Sequence, residues 1–336
     1  MSLRNRIKKY LLSYRMEARM NAKLDSIKKD IREMDNKHEY LFWLSQMQPG
    51  ETMQQTKERL FLQMPKATGR LRKIQLAENY LLGRIKDICD QNGLEFFLIG
   101  GTLMGAVRHK GFIPWDDDLD VVVRRDEYDR LMRVLKDELS EPYTLQSYDT
   151  DARYWQGFAK VRKKGTLYKE QATSALPDET CGIWIDIFPL DDAKRGRGWP
   201  LRFRKYLAET VGFAIQRRVL KRSFSCFSRR YAPIMLFWGL FPTKVLQRLQ
   251  TCFIRKKCKR QAAWLVNVAG TDRIQKETFR AEWFAESVKL PFEDTLCDVP
   301  CAYDALLTHF YGDYMTPPPE GKRGGHNADE RFPIIV

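Results

Sequence analysis

Asp118 and Asp120 stand two residues apart in Asp118-Leu119-Asp120-Val121-Val122-Val123, a run whose valines read as an internal strand. Residues two apart on a strand face the same side. The two carboxylates would therefore sit together and repel, a cost that a divalent cation removes. Mg2+ (or Mn2+) suits such a pair, because a hard cation takes one or two carboxylates and completes its shell with water and phosphate oxygens. Taken alone, Asp116-Asp117-Asp118 could equally be a solvated acidic loop that caps a helix or binds Arg108. The preceding residues shift the balance. Residues 94–99 read as a strand, followed by Gly100-Gly101, a short helix from Thr102 to about His109 and a turn over 111–114. Glycines let backbone N–H groups approach a phosphate, and a helix N-terminus adds a positive end. Gly100, Gly101 and Thr102 are thus expected to cradle a phosphate that the metal on Asp118 and Asp120 also holds.

A third carboxylate usually completes such a site, and Asp186 is the candidate. It is the one acid inside the apolar run Gly182-Ile183-Trp184-Ile185-Asp186-Ile187-Phe188-Pro189-Leu190. A lone buried Asp is costly unless it is paired or metal-linked; pairing with a buried Arg is the competing explanation. Asp186 is assigned as general base for an attacking hydroxyl and as a further metal ligand. Asp191 and Asp192 read as caps or turn residues. Arg108 and Lys110 could neutralise a leaving diphosphate or pair with Asp116 and Asp117. His326, with Lys322 and Arg323 in a Gly-rich loop, could close over phosphate. Trp115, Trp155 and Trp184 lie near these motifs, where tryptophans are more often core.

The elements that must position these groups follow from periodicity. Residues 1–60 form a helical extension. In it Met20, Leu24, Ile27, Ile31 and Met34 alternate at spacings of four and three, a narrow stripe suited to packing on the chain's own core, to a homodimer or to a partner helix. Residues 48–56 read as a linker. An amphipathic helix runs from Thr68 to Asn92-Gly93, a stop signal because both residues tolerate positive φ. Asp126 reads as the N-cap of a helix over 127–138. Residues 157–162 and 166–169 read as a hairpin, and 181–190 as a buried strand. The fold class is α/β (α+β), with a mixed sheet flanked by helices over 68–336.

Composition bounds the rest. The chain has 336 residues, 43% of them hydrophobic, enough for a sizeable core. Its net charge is +15. Residues 196–263 hold 17 Lys or Arg against a single acid, Glu209, so the rest of the chain is near neutral. That segment reads as a basic helical insert in which Phe213, Phe224, Phe227, Leu236, Phe237, Trp238 and Phe241 are interleaved with the cations. Such a mixture suits an anionic membrane surface, or a helical subdomain whose aromatics form its core and whose charges are solvated. Nucleic-acid binding would place the cations beside Asp118 and Asp120, so nucleic acid is disfavoured as a partner. Seven scattered cysteines fit free thiols. No run is long enough to span a bilayer, and the first twenty residues lack a signal peptide's apolar stretch. The expected location is the cytoplasm, at the inner face of the membrane.

Leu98 to Asp120, read without a gap as Leu-Ile-Gly-Gly-Thr-Leu-Met-Gly-Ala-Val-Arg-His-Lys-Gly-Phe-Ile-Pro-Trp-Asp-Asp-Asp-Leu-Asp, resembles the signature of the LicD family, a nucleotidyltransferase-fold family related to fukutin-type transferases. Trp184-Ile185-Asp186-Ile187-Phe188-Pro189-Leu190-Asp191 resembles a second family block. Tyr311-Gly312-Asp313-Tyr314-Met315, with Pro317, Pro318 and His326, resembles a third. The resemblance leaves the N-terminal helix unexplained. It implies transfer of phosphocholine, or a similar alcohol phosphate, from a CDP-linked donor to a sugar hydroxyl, and a choline headgroup could stack on Trp115, Trp155 or Trp184. The acceptor would be a cell-surface glycan, such as lipopolysaccharide or teichoic acid, or its lipid-linked precursor. The residues alone leave open attack at the distal phosphate or at the α-phosphate; the resemblance favours the distal one. The alternatives are a nucleotidyltransferase acting on nucleic acid or a small molecule, and a non-catalytic scaffold, which the complete set of acids argues against.

Overall fold

The computed structural model describes residues 3–194, 198–223, 231–256, 262–317, 323–324 and 335–336. They fall into two units, 1–63 and 64–336.

The first unit is a helical hairpin of α1 (Leu3–Gln46) and α2 (Met53–Gln63). The expected linker is shorter than 48–56, because Thr52 and Gln55 cap the start of α2. Gln55 N–H donates to Thr52 Oγ1 at 3.2 Å, and Thr52 N–H donates to Gln55 Oε1 at 2.9 Å. Arg59 ties the two helices by donating to Glu51 at 2.7 and 2.9 Å and to the Gln46 carbonyl at 2.8 Å. Trp43 and Phe61 are buried with ring centroids 6.2 Å apart. Met20, Leu24, Ile27 and Met34 are exposed on α1; the side chain of Ile31 lies outside the described residues.

The second unit opens with α3 (Gly69–Asn92), stopped by Gly93 at φ 59°. The elements that follow are β1 (Phe97–Leu98), α4 (Gly100–His109), β2 (Asp120–Arg124), α5 (Arg125–Glu138), β3 (Tyr143–Gln146), β4 (Ala159–Lys163) and β5 (Trp184–Ala193). Then come α6 (Trp199–Val219), α7 (Ala232–Trp238), α8 (Thr243–Ile254), β6 (Trp264–Val266), β7 (Thr278–Arg280), the hairpin β8 (Ser287–Phe292) and β9 (Thr295–Pro300), and α9 (Tyr303–Tyr311). The main sheet runs β1-β2-β5-β4-β3, with β6 on β5 and β7 on β6. Only β2 and β5 among these pairs run parallel, and the crossover between them carries α5. All ten residues of β5 are buried, as befits a central strand covered on both faces.

Several expectations change. Residues 166–169 do not form the second strand of a hairpin. β4 instead pairs with β3 and β5, and the Thr166 side chain stands in for a ladder partner, accepting from Ile183 N–H at 2.9 Å and donating to the Lys163 carbonyl at 2.6 Å. Helix α5 begins at Arg125 with Arg124 as N-cap, so Asp126 falls in its first turn. There it still complements the positive helix end. Asp191 is no turn residue. It is fully buried in β5 and receives Arg125 Nε at 3.0 Å, Arg125 Nη2 at 2.8 Å and Lys256 N–H at 2.8 Å.

The basic insert is helical, and much of its apolar content is core. Val211, Ala214, Ile215, Trp238 and Leu246 are buried with Tyr154, Trp155, Leu167 and Cys181. Leu236, Phe237 and Leu240 remain exposed at 59, 52 and 79%. Phe224 and Phe227 lie outside the described residues. No described helix is long and apolar enough to cross a membrane. The described cysteines, Cys89, Cys181, Cys252, Cys297 and Cys301, are all free thiols.

Candidate active site

A cleft of about 280 Å³ lies where β1 turns into α4 beside the start of β2. Ile99, Gly100, Gly101, Asp116, Asp118, Asp120 and Phe188 form part of its wall, and Asn267, Gly270, Thr271, Asp272, Glu277, Phe310 and Tyr311 form the rest. A larger cavity of about 740 Å³ beside α6 and α8 is lined by Lys194, Arg204, Arg255 and Lys256 and by no carboxylate. The smaller cleft carries the acids.

Helix α4 starts at Gly100, two residues before the expected Thr102, with Ile99 as a cap that offers no side-chain acceptor. Its first N–H groups therefore open at the cleft without an intrahelical partner. Both glycines are needed there. Gly100 has φ +60°, a region that disfavours side chains. A Cβ on Gly101 would lie 2.7 Å from Asp116 Oδ2. Thr102 serves the site differently from the phosphate role expected of it: it is buried, and its Oγ1 accepts Asp120 N–H at 2.9 Å, which fixes the start of β2.

The acid loop is held from several sides. Gln75 on α3 donates to the carbonyls of Ile113 at 3.3 Å and Asp116 at 2.8 Å. Tyr168 hydroxyl donates to Asp117. Glu293, in the turn between β8 and β9, pairs with Lys66 and Arg72, each at 2.7 Å, and its N–H donates to the Lys110 carbonyl at 2.8 Å. Burial alone would raise the Glu293 carboxyl, but the bonds from Arg72 and then Lys66 hold it down at about 2.

Asp118 lies just before β2 rather than in it, and the extended path continues through Leu119, whose carbonyl accepts Asp186 N–H at 3.0 Å. Asp120 and Asp186 are register partners across the parallel β2–β5 pair. Asp186 is buried beside Asp120 and is not among the residues lining the cleft. Lys160, its cross-strand neighbour on β4, donates to Oδ2 at 3.0 Å. Its ammonium also lies 2.6 Å from Oδ1, an atom that is buried without accepting a hydrogen bond. The competing explanation for Asp186, a buried cationic partner, thus holds in the form of Lys160, while the Arg pairing belongs to Asp191.

Charge accumulates here. Burial pushes the Asp120 carboxyl well above its ordinary range, and Asp118 and Asp186 push it further. Glu78, buried on α3, is raised by the same burial and by Asp118, Asp117, Asp116 and Asp120. Among the described residues no three His, Cys, Asp or Glu side chains already form a metal cage. The donor set fits a hard cation that takes carboxylates from Asp118 and Asp120 and the rest of its shell from water and phosphate. Asp186, ion-paired with Lys160 at 2.6 Å, adds a third carboxylate beside Asp120.

The other expected residues lie away from the cleft wall. Arg108 is buried, donates to Met104 Sδ at 3.1 Å, and is lowered to about 10 by burial and by Arg323. Lys110 donates to the Val107 carbonyl at 3.2 Å. Trp115 carries the Arg323 guanidinium 5.0 Å above its ring. Trp155 is core, and Trp184 lies under Lys160 at 4.4 Å. His326 and Lys322 lie outside the described residues. Conversely, Asn267, Thr271, Asp272, Glu277, Phe188 and Phe310 were not expected at the site. Tyr311 heads the third motif block, and its hydroxyl lies 3.7 Å from where a Cβ on Gly100 would be.

The LicD/FKTN/FKRP nucleotidyltransferase domain family matches residues 93–209. The chain is 30% identical over 278 residues to the lipopolysaccharide cholinephosphotransferase LicD of Haemophilus influenzae, which covers 78% of this chain and 97% of that protein. An uncharacterized Rickettsia prowazekii protein is 36% identical over 63 residues, 19% of this chain and 23% of its own length.

Proposed function

The chain belongs to the LicD family, and we propose that it transfers phosphocholine, or a closely similar alcohol phosphate, from a CDP-linked donor to a sugar hydroxyl of lipopolysaccharide or a lipid-linked glycan precursor. The observation that carries this reading is the Asp118–Asp120 pair facing the open N-terminus of α4 across one cleft. The relative named for lipopolysaccharide cholinephosphotransfer supports the choice of substrate.

In this reading Asp118 and Asp120, with Asp186 beside Asp120, would hold Mg2+ (or Mn2+), which would neutralise charge on the donor diphosphate. The N–H groups at Gly100 and Gly101 take phosphate oxygens. Without a cation the acids would repel a diphosphate, so donor binding must depend on the metal. Phe188, Phe310 and Tyr311 give the cleft an aromatic wall able to receive a quaternary ammonium. That wall takes the place of the tryptophans expected from the sequence. The acceptor oxygen attacks the distal phosphorus, the bond to the bridging oxygen breaks, and CMP leaves. Calorimetric titration with CDP-choline tests the binding half: heat of binding is expected with Mg2+ and none with EDTA, and metal-independent binding would count against the site.

The insert is proposed to hold the enzyme on an anionic membrane, where lipid-linked acceptors reside. Leu236, Phe237 and Leu240 are exposed beside a strongly basic segment, and the 740 Å³ cavity adds a cationic wall next to the exposed Trp199. Each engaged cation contributes on the order of 1 kcal/mol near such a surface. Co-sedimentation with anionic liposomes is expected at low salt. It should weaken with added salt and fall several-fold when Phe237 and Leu240 become Ser, or when Arg217, Lys221 and Arg222 become Gln. Equal sedimentation with neutral liposomes would contradict this role.

A further inference from the structure

Glu277 lies one residue before β7 and lines the same cleft as Asp118 and Asp120. We propose that Glu277 is the proton acceptor for the attacking sugar hydroxyl, a role that rests on the transfer reaction proposed above.

The geometry favours Glu277 over Asp186. Asp186 stands beside Asp120 in register, is held by Lys160 and is not among the residues of the cleft wall. Glu277 is buried within the wall itself. Its Oε1 accepts Asp272 N–H at 3.2 Å, and Gly270 packs so closely that a Cβ there would lie 2.0 Å from that oxygen. The groups that face it are few. Asn267 hydrogen-bonds its carboxylate, Asp272 repels it, and Lys205 attracts it from α6. Lys205 is itself buried; it donates to the Gly270 carbonyl at 2.6 Å and pairs with Glu209 at 3.6 Å. Asp116, Asp118 and Asp120 are the other carboxylates of the cleft. Burial outweighs Lys205 and the hydrogen bonds and brings Glu277 up to about 7, where a base gives and takes protons near neutrality.

A second observation points to a hydroxyl-bearing ligand. Asn267 lines the cleft, is 3% exposed, and its Oδ1 is buried with no hydrogen-bond donor. Such an acceptor suits a neighbouring O–H of a polyhydroxylated sugar. In the step, the proton of the attacking hydroxyl moves to Glu277 as its oxygen bonds to the distal phosphorus. The bridging P–O electrons leave with CMP, and Glu277 returns its proton to water after product release. The insert thereby reaches the chemistry through Lys205 as well as any membrane.

The test is the pH dependence of kcat/KM for transfer from CDP-choline, with Mg2+ and a lipopolysaccharide acceptor, for the wild type and Glu277→Gln. A base must be ionised to act, so the wild-type rate is expected to rise with pH through an inflection near 7. Glu277→Gln should lose about 10²–10⁴-fold, and the inflection with it, while Mg2+-dependent CDP-choline affinity stays within about twofold. A further readout is independent of turnover. A carboxyl raised by folding stabilises below its unfolded value and loses that contribution as pH rises through its folded value. The Tm of Glu277→Gln should therefore gain on the wild type between pH 5 and pH 8. An active wild type with no inflection near 7, or a Gln variant that keeps it, overturns the role of Glu277 alone, as does loss of donor affinity in the variant. A wild type that turns over no CDP-linked donor overturns the transfer reading and this role with it.

Discussion

Asp120→Asn is expected to lower transfer by at least ~10³-fold while leaving the fold intact, and Asp118→Asn to do nearly the same. Phosphoryl transfer leaves the protein little covalent work, so most of the catalysis is charge stabilisation and positioning. Asp120 is the carboxylate where those demands meet. Thr102 fixes its backbone N–H, Asp186 stands beside it, and its side chain faces Gly100. In the metal-free protein the substitution removes one of several crowded negative charges. The variant should therefore be at least as stable as the wild type by thermal melting. Inactivity together with an unchanged or higher Tm separates loss of a ligand from loss of structure. A variant retaining a tenth of wild-type activity would sink the assignment.

The largest effect on stability is expected at Arg125→Met. Arg125 reaches from the first residue of α5 to Asp191 in β5 and makes two hydrogen bonds there. Both side chains are buried, and Asp191 is fully so. Removing the guanidinium leaves a core carboxylate without its ion-pair partner, with the Lys256 N–H still donating to it. Breaking a buried pair from one side costs about 3–5 kcal/mol. Urea denaturation should show that loss as a lower midpoint with an unchanged slope. Asp191→Asn in the Arg125→Met background should recover part of it, because the unpaired charge is gone. A loss under ~1 kcal/mol would mean that water reaches the site and the pair is peripheral.

These two residues also show what could be read from the chain. Asp118 and Asp120 were legible because the signal is local: glycines, a helix start and two acids on an extended run lie within about twenty residues. Asp186 was legible as a costly acid in an apolar strand. Asp191 was not, since Leu190-Asp191-Asp192 looks like a strand running out into a turn. Arg125, 66 residues away in sequence, and the Lys256 N–H make its burial tolerable. Glu277 was invisible for a related reason. It lies between strands of three residues each, in a polar stretch with no periodicity, and reaches the cleft through the β5–β6 pairing. Thr102, Arg108, Lys110 and Trp115 sit in the right motif, but proximity in sequence did not carry them to the cleft wall. The motif spends Thr102 on the Asp120 backbone, and Arg108, in the last turn of α4, on Met104 Sδ in the interior.

The insert divides along similar lines. Its charge and helicity were evident from composition. Which aromatics are core was not, because Trp238 and Phe237 are adjacent in sequence yet one is buried and donates to Thr210 Oγ1 at 3.1 Å while the other is exposed. Neighbouring helical positions point about 100° apart, and only the packing of α6 against α7 and α8 decides which one faces inward.

The most direct test of the transfer reaction uses CDP-choline labelled with ³²P at the phosphate next to choline. With purified protein, Mg2+ and a lipopolysaccharide acceptor, the label is expected to move to the glycan with the choline, in step with release of unlabelled CMP, and to stop when EDTA is added. Label that remains in a nucleotide-containing product, or CMP that becomes attached to the acceptor, would contradict attack at the distal phosphate and with it the proposed phosphocholine transfer.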